Sequence, residues 1–180
     1  MSVAAGGRQA EVDGPGEAKA LNPAQAEELA RSIALRLLAA APKSRAQLEQ
    51  AMAKRLVPPD VAKRVLDRFE EVGLVNDQAY AEMLVRTRHN ERGLSGPVLA
   101  AELRRRGIDD QVAQQAMGQI SADDKAARAE ELALKKLAAT RSLDTAVRLR
   151  RTVSLLTRRG LPPNQAFEVT RRLLDQETAE

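Results

Sequence analysis

Residues 101–110 read AELRRRGIDD, and residues 154–163 read SLLTRRGLPP. In both, apolar residues at helical spacing run into arginines, then a glycine, then an aliphatic residue. A third copy, AMAKRLVPPD at 51–60, has leucine in the glycine's place. With Leu56, Gly107 and Gly160 in register, the separations are 51 and 53 residues. Four residues before the anchor stand Met52, Leu103 and Leu156; eight before stand Leu48, Leu99 and Thr152. One residue after come Val57, Ile108 and Leu161, and six after come Ala62, Ala113 and Ala166. A fixed period of this length marks a repeat protein, so the chain reads as three copies of one supersecondary unit.

Each copy reads as three helices. In the first, Leu29, Ile33 and Leu37 recur every fourth residue, as on an amphipathic helix. Ser44 with Gln47 forms a capping-box pattern that opens a second helix. Pro58 and Pro59 stop that helix and start the third, because proline fits only a first turn. The third helix runs through Val61, Val65, Leu66 and Phe69 to a glycine stop at Gly73. In the second copy Asn76 or Asp77 caps the first helix, helix two is Val98 to Arg106, and helix three starts near Ile108. In the third copy a helix opens at Ser121, a second lies within Asp144 to Arg159, and a third runs from Pro163 to about Leu174. No window alternates apolar and polar residues as a half-buried strand would. The expected fold is all-α, an elongated tandem array of three-helix, helix-turn-helix-like repeats over 23–75, 76–120 and 121–180. Residues 1–22, with Gly6, Gly7, Gly14 and Gly16 and no apolar periodicity, read as a disordered leader.

Composition agrees. The chain is 43% hydrophobic but only 2% aromatic, so its apolar residues are mostly strong helix formers and its cores thin. It has no cysteine, which excludes disulfides and thiolate metal sites and suits a reducing, cytoplasmic location. A single histidine, His89, leaves no His-paired metal cluster and argues against a His-based catalytic triad. No run of residues approaches the ~20 apolar positions of a membrane span.

The formal charge is +4, so the distribution of arginines matters more than the total. A basic residue in a last helical turn complements the helix dipole, and the glycine that follows takes a left-handed turn. That accounts for one or two arginines before Gly107 and Gly160, not for more. On a wheel at ~100° per residue, Arg148, Arg151, Arg158 and Arg159 fall within a ~100° arc opposite Ala146, Leu149, Val153 and Leu156. The stretch from Arg86 to Gly107 carries Arg86, Arg88, Arg92, Arg104, Arg105 and Arg106 against only Glu91 and Glu102. Tyr80, Met83, Leu84 and Thr87 make the inner face of its first helix, with Arg86, His89 and Arg92 pointing outward. These ten arginines are the candidate docking residues, for a phosphate backbone or an acidic protein groove.

Three segments carry a family resemblance: ALRLLAAAPKSRAQLEQAMAKR, RVLDRFEEVGLVNDQAYAEMLVRTR and GLSGPVLAAELRRRGIDDQVAQQAM. With Gly73-Leu74, Asn76-Asp77, Tyr80-Ala81, Arg86, Arg88, Gly93 and Glu102-Leu103 ahead of Gly107, they resemble the bacterial RecX family over about Ala26 to Leu174. The resemblance implies tandem three-helix repeats and a regulator, not an enzyme, that binds the RecA recombinase as its filament on single-stranded DNA. It implies inhibition of RecA's ATP hydrolysis, strand exchange and coprotease activity, within recombinational repair and the SOS response. A monomer without cofactor or membrane partner is expected, with at most weak direct DNA contact through the basic faces. Where relatives often carry a basic residue after the Gly-Pro turn, this chain has Val98.

Two other readings weigh less. A helix-turn-helix DNA-binding regulator would need base-reading residues at a recognition-helix start. The third helices here open PPDVAKR, DDQVAQQ and PPNQAFE, which are acidic or proline-led. A single-strand binder would need exposed aromatics, and only Phe69, Tyr80 and Phe167 exist, the first two on apolar faces. For an enzyme, GLSGP lacks the closing glycine of a nucleophile elbow because Pro97 stands there, and no glycine-rich phosphate loop occurs.

Overall fold

The computed structural model describes residues 22–178, so the expected disordered leader lies outside the described residues except for Asn22. Asn22 belongs to the fold. Its side chain accepts from the Gln25 amide while Gln25 reaches back, closing a capping box ahead of Pro23. The first helical triplet is α1 (Pro23–Ala40), α2 (Arg45–Ala53) and α3 (Pro59–Glu71). The second is α4 (Asp77–Arg92), α5 (Gly96–Arg105) and α6 (Asp110–Gly118). The third is α7 (Ala122–Ala138), α8 (Thr145–Arg158) and α9 (Pro163–Glu177). No strand occurs among the described residues. Starts fall where short polar side chains can take the free first-turn amides: Ser44 caps α2, Asn76 caps α4 and Ser121 caps α7. Three bounds differ from expectation. Helix α6 begins only at Asp110, leaving Ile108, expected within it, buried ahead of the Asp109 cap. Helix α5 opens two residues early, at Gly96, because Pro97 fits its first turn, and α9 runs on to Glu177.

All substantial helix–helix contacts fall within a triplet, and each triplet closes around its own core. Leu48, Met52, Leu66 and Phe69 centre the first, Tyr80, Leu84, Leu99 and Leu103 the second, and Leu137, Leu156, Leu173 and Leu174 the third. Tyr80 and Phe69 are core residues, as their helical positions require; Phe167 is exposed. The anchor register is visible in space as well. Met52, Leu103 and Leu156 are all essentially inaccessible to solvent and hold equivalent places at the end of the middle helix.

The glycines after the middle helices turn out to be joints between repeats. Gly107, in the left-handed region at φ 75°, closes α5 against the start of α2 in the preceding repeat. A Cβ added there would stand 2.2 Å from Cβ of Ala46, and the buried Ser44 hydroxyl donates to the Arg106 carbonyl at 2.6 Å. Asp77 fixes the same seam by accepting from the Arg45 amide at 2.8 Å. The next joint repeats the device. Gly160, at φ 102°, brings α8 onto the start of α5, where a Cβ would lie 2.0 Å from the Ser95 carbonyl oxygen. There the Ser95 amide donates to the Arg159 carbonyl at 2.9 Å. Among the described residues no repeat precedes the first, and Leu56, left-handed at φ 59° and 87% exposed, occupies the equivalent position.

Helix α8 presents a different face from the one the wheel suggests. Ala146 is exposed, while Arg148, Thr152 and Leu156 form the buried stripe with Leu149 and Val153 beside it. The Arg148 stem lies along the core while its guanidinium reaches the Leu137 carbonyl and Glu177, so a long cation fills an inward position. His89 is likewise not outward: it is buried, with Nδ1 3.1 Å from the Leu94 carbonyl, at the seam with the third repeat.

Two stability predictions follow from the packing. Leu103→Ala, at a fully buried site, should cost about 2–5 kcal/mol in urea unfolding. Gly107→Ala should cost more than Gly73→Ala, which shares the left-handed backbone but has nothing within 4 Å of the added carbon. The backbone penalty alone is about 1–2 kcal/mol. The excess in Gly107→Ala should vanish in the Ala46→Gly background, a coupling that a double-mutant cycle reads directly.

Candidate docking surface

The ten candidate arginines separate by what holds them. Arg88 and Arg106 converge on Glu102, at 2.8 and 3.2 Å, and Arg106 also donates to the Tyr80 hydroxyl at 2.8 Å. Glu102 is largely buried. Burial pushes its carboxyl up, but hydrogen bonds and charge from Arg88 and Arg106 outweigh that and hold it below the usual range. Arg148 is 8% exposed and bonds Glu177 at 2.6 Å and the Leu137 carbonyl at 3.2 Å. The Arg159 guanidinium donates to the Arg92 carbonyl and so clasps the joint between repeats two and three. These four brace the fold.

Arg104 differs, although it too is paired. Its 3.2 Å bridge to Asp110 joins side chains 66% and 68% exposed, and such pairs contribute only about 0–1 kcal/mol. A partner carboxylate or phosphate competes for it easily. Arg86, Arg92, Arg105, Arg151 and Arg158 are exposed and carry no ion pair among the described residues. Arg151 and Arg158, seven residues apart, share one face of α8 about 10 Å apart along its axis. Arg150 is exposed beside them. The sequence reading passed over it because the wheel was turned by taking Ala146 as inward. The available basic positions are therefore Arg86 and Arg92 on α4, Arg104 and Arg105 at the end of α5, and Arg150, Arg151 and Arg158 on α8.

Sequence reasoning missed a cleft altogether. A cavity of about 630 Å³ opens between α4, the end of α6 and α7, lined among others by Arg86, His89, Gln119 and Arg128. Nothing in local periodicity announces it, since it depends on how the second and third repeats meet. Among the described residues no group of three or more His, Cys, Asp or Glu side chains could hold a metal ion. No described helix is long and apolar enough to cross a membrane. The starts of α3 and α6 present Asp60 and Asp109 with Asp110, which would repel the phosphates a recognition helix must approach.

Three separately cored helical triplets, seamed by glycine turns and edged with arginines most of which carry no ion pair among the described residues, define a tandem-repeat helical protein. Residues 30–69 match "RecX, first three-helix domain" and residues 76–117 match "RecX, second three-helix domain". The chain is 43% identical to "Regulatory protein RecX" of Streptomyces coelicolor, over 86% of this chain and 82% of that one. Against "Regulatory protein RecX" of Thermobifida fusca it is 45% identical over 84% and 82%. The chain belongs to the RecX family of regulatory proteins. In fold it resembles the crystal structure of RecX from Lactobacillus salivarius, with a TM-score of 0.75 at 21% identity over 83% of this chain and 97% of that one.

The Glu102 network gives a pH prediction. The folded carboxyl titrates below its ordinary value of 4.5, so the stability it lends is complete above that value and is lost as pH falls through the folded one. Urea midpoints followed from about pH 6 to about pH 3 should fall more steeply for the wild type than for Glu102→Gln, with the two converging in acid. Parallel curves would contradict this.

Proposed function

We propose that this protein regulates the RecA recombinase by docking on its filament on single-stranded DNA, lowering ATP hydrolysis, strand exchange and coprotease activity without chemistry of its own. Membership of a family whose relatives carry the name regulatory protein is the observation that supports this most. The exposed arginines supply the physical means. Guanidinium groups without an ion pair, or held as Arg104 is by one exposed bridge, give up little on meeting a carboxylate or phosphate, whereas Arg88, Arg106, Arg148 and Arg159 would have to leave bonds that brace the fold. The contact set proposed here is therefore Arg86, Arg92, Arg104, Arg105, Arg151 and Arg158, with Arg150 added. Separate cores suit the task, because a partner surface that itself repeats is met by an extended row of similar units.

Titrating the protein into RecA with single-stranded DNA should depress ATP hydrolysis at near-stoichiometric ratios, and a flat titration would refute the reading. Reversing Arg151 and Arg158 to Glu, together with Arg86 and Arg105, should raise the concentration needed by tenfold or more while far-ultraviolet circular dichroism stays unchanged. Arg148→Glu should instead lose helicity, since it buries a carboxylate against Glu177.

A further inference from the structure

The cleft between α4 and α7 is closed at one end, where the Gly93 turn seats so tightly that a Cβ would stand 2.4 Å from Cδ1 of Leu132. At the other end the short link from α6 to α7 closes it. Two helices are thereby held together at their ends and apart along their length. A volume of about 630 Å³ lies within the range of ordinary ligand sites. Its floor is apolar, formed by Val85, Ala116 and Ile120.

Charge decides what fits. Each wall carries an acid and, one turn later, a base: Glu82 then Arg86 on α4, and Asp124 then Arg128 on α7. Arg128 is neutralised by Glu131. Glu82 and Arg86 form no ion pair with each other, although the same four-residue spacing pairs Glu27 with Arg31 at 3.1 Å and Asp60 with Arg64 at 2.9 Å. Among the described residues Glu82 accepts only from the Gln78 side-chain amide. Three carboxylates against two guanidinium groups repel a phosphate chain, so the nucleic acid is not the occupant. A groove between helices, with an apolar floor, two acids left over in Glu82 and Asp124, and one base, Arg86, a turn beyond Glu82, matches an amphipathic helix laid along it.

We propose that this cleft receives one amphipathic helix of the partner protein, a cation on that helix meeting Glu82 and Asp124 and a carboxylate one turn along meeting Arg86. This rests on the docking role proposed above and adds a second, apolar anchor to the arginine edge. The chain has no cysteine, so Gln119→Cys at the exposed rim can carry a single polarity-sensitive dye. Ala127→Trp, from an exposed alanine on the α7 wall, fills the cleft from outside the cores. With RecA filament as probe, the dye should shift to the blue on binding, and Ala127→Trp should weaken binding by at least tenfold. Binding at unchanged affinity with a silent dye would overturn the cleft proposal and leave the docking role standing. Tighter binding on Glu82→Gln would assign the cleft to a polyanion and overturn it as well. Absence of any binding to the filament would overturn both.

Discussion

The whole arrangement depends on a close approach at the ends of the second and third middle helices, where a glycine turn meets the start of the preceding repeat's middle helix. At Gly107 and again at Gly160 the chain leaves a helix through a left-handed turn and brings that turn against the first residues of the preceding repeat's middle helix. The approach leaves no room for a side chain. The two contacts share a place in the repeat but not their atoms, Ala46 Cβ facing Gly107 and the Ser95 carbonyl facing Gly160, and they take the place of the broad helix–helix packing that the repeats do not share. A three-helix unit of this size buries little apolar surface, so its stability is marginal and a few polar contacts at each seam matter out of proportion to their number. The register of the arginine edge across repeats two and three is set here too, since Arg92, Arg158 and Arg159 all flank the second seam.

Leu56 shows the rule by its exception. It stands at the equivalent position, in the same backbone region, with its side chain in solvent. No described residue packs over it, so the position tolerates a Cβ, and the residue bears only the backbone cost. The third repeat differs as well. Helix α8 starts fifteen residues before Gly160, whereas α5 starts eleven before Gly107, so one added turn covers the place where Ser44 and Ser95 receive their neighbours. Arg148 occupies the position corresponding to those serines and is tied inward to α7 and α9.

Much of this was legible. The period, the three-helix units and most caps follow from apolar spacing and from Ser, Asn, Pro and Gly at the breaks, all of which act locally. The misread positions are those decided by a distant partner. Arg148 looked outward because a wheel ranks a long cation below a small alanine, yet its stem packs and its charge finds Glu177, 29 residues on. His89 looked outward in the company of Arg86 and Arg92, and the third repeat covers it. Arg88 and Arg106 seemed free until Glu102 came between them. The glycines were read as helix stops, which they are; that they are also seams depends on which surfaces meet, and no single repeat contains that information.

Amide exchange in Gly160→Ala tests the central claim most directly. The Ser95 amide bonds the Arg159 carbonyl across the seam, while the Leu103 amide lies in a helix whose residues centre the second core. If separately cored repeats are joined through a glycine seat, exchange at Ser95 should accelerate strongly in the variant and exchange at Leu103 should keep its wild-type rate. Equal acceleration at both sites, or none at Ser95, would contradict the account.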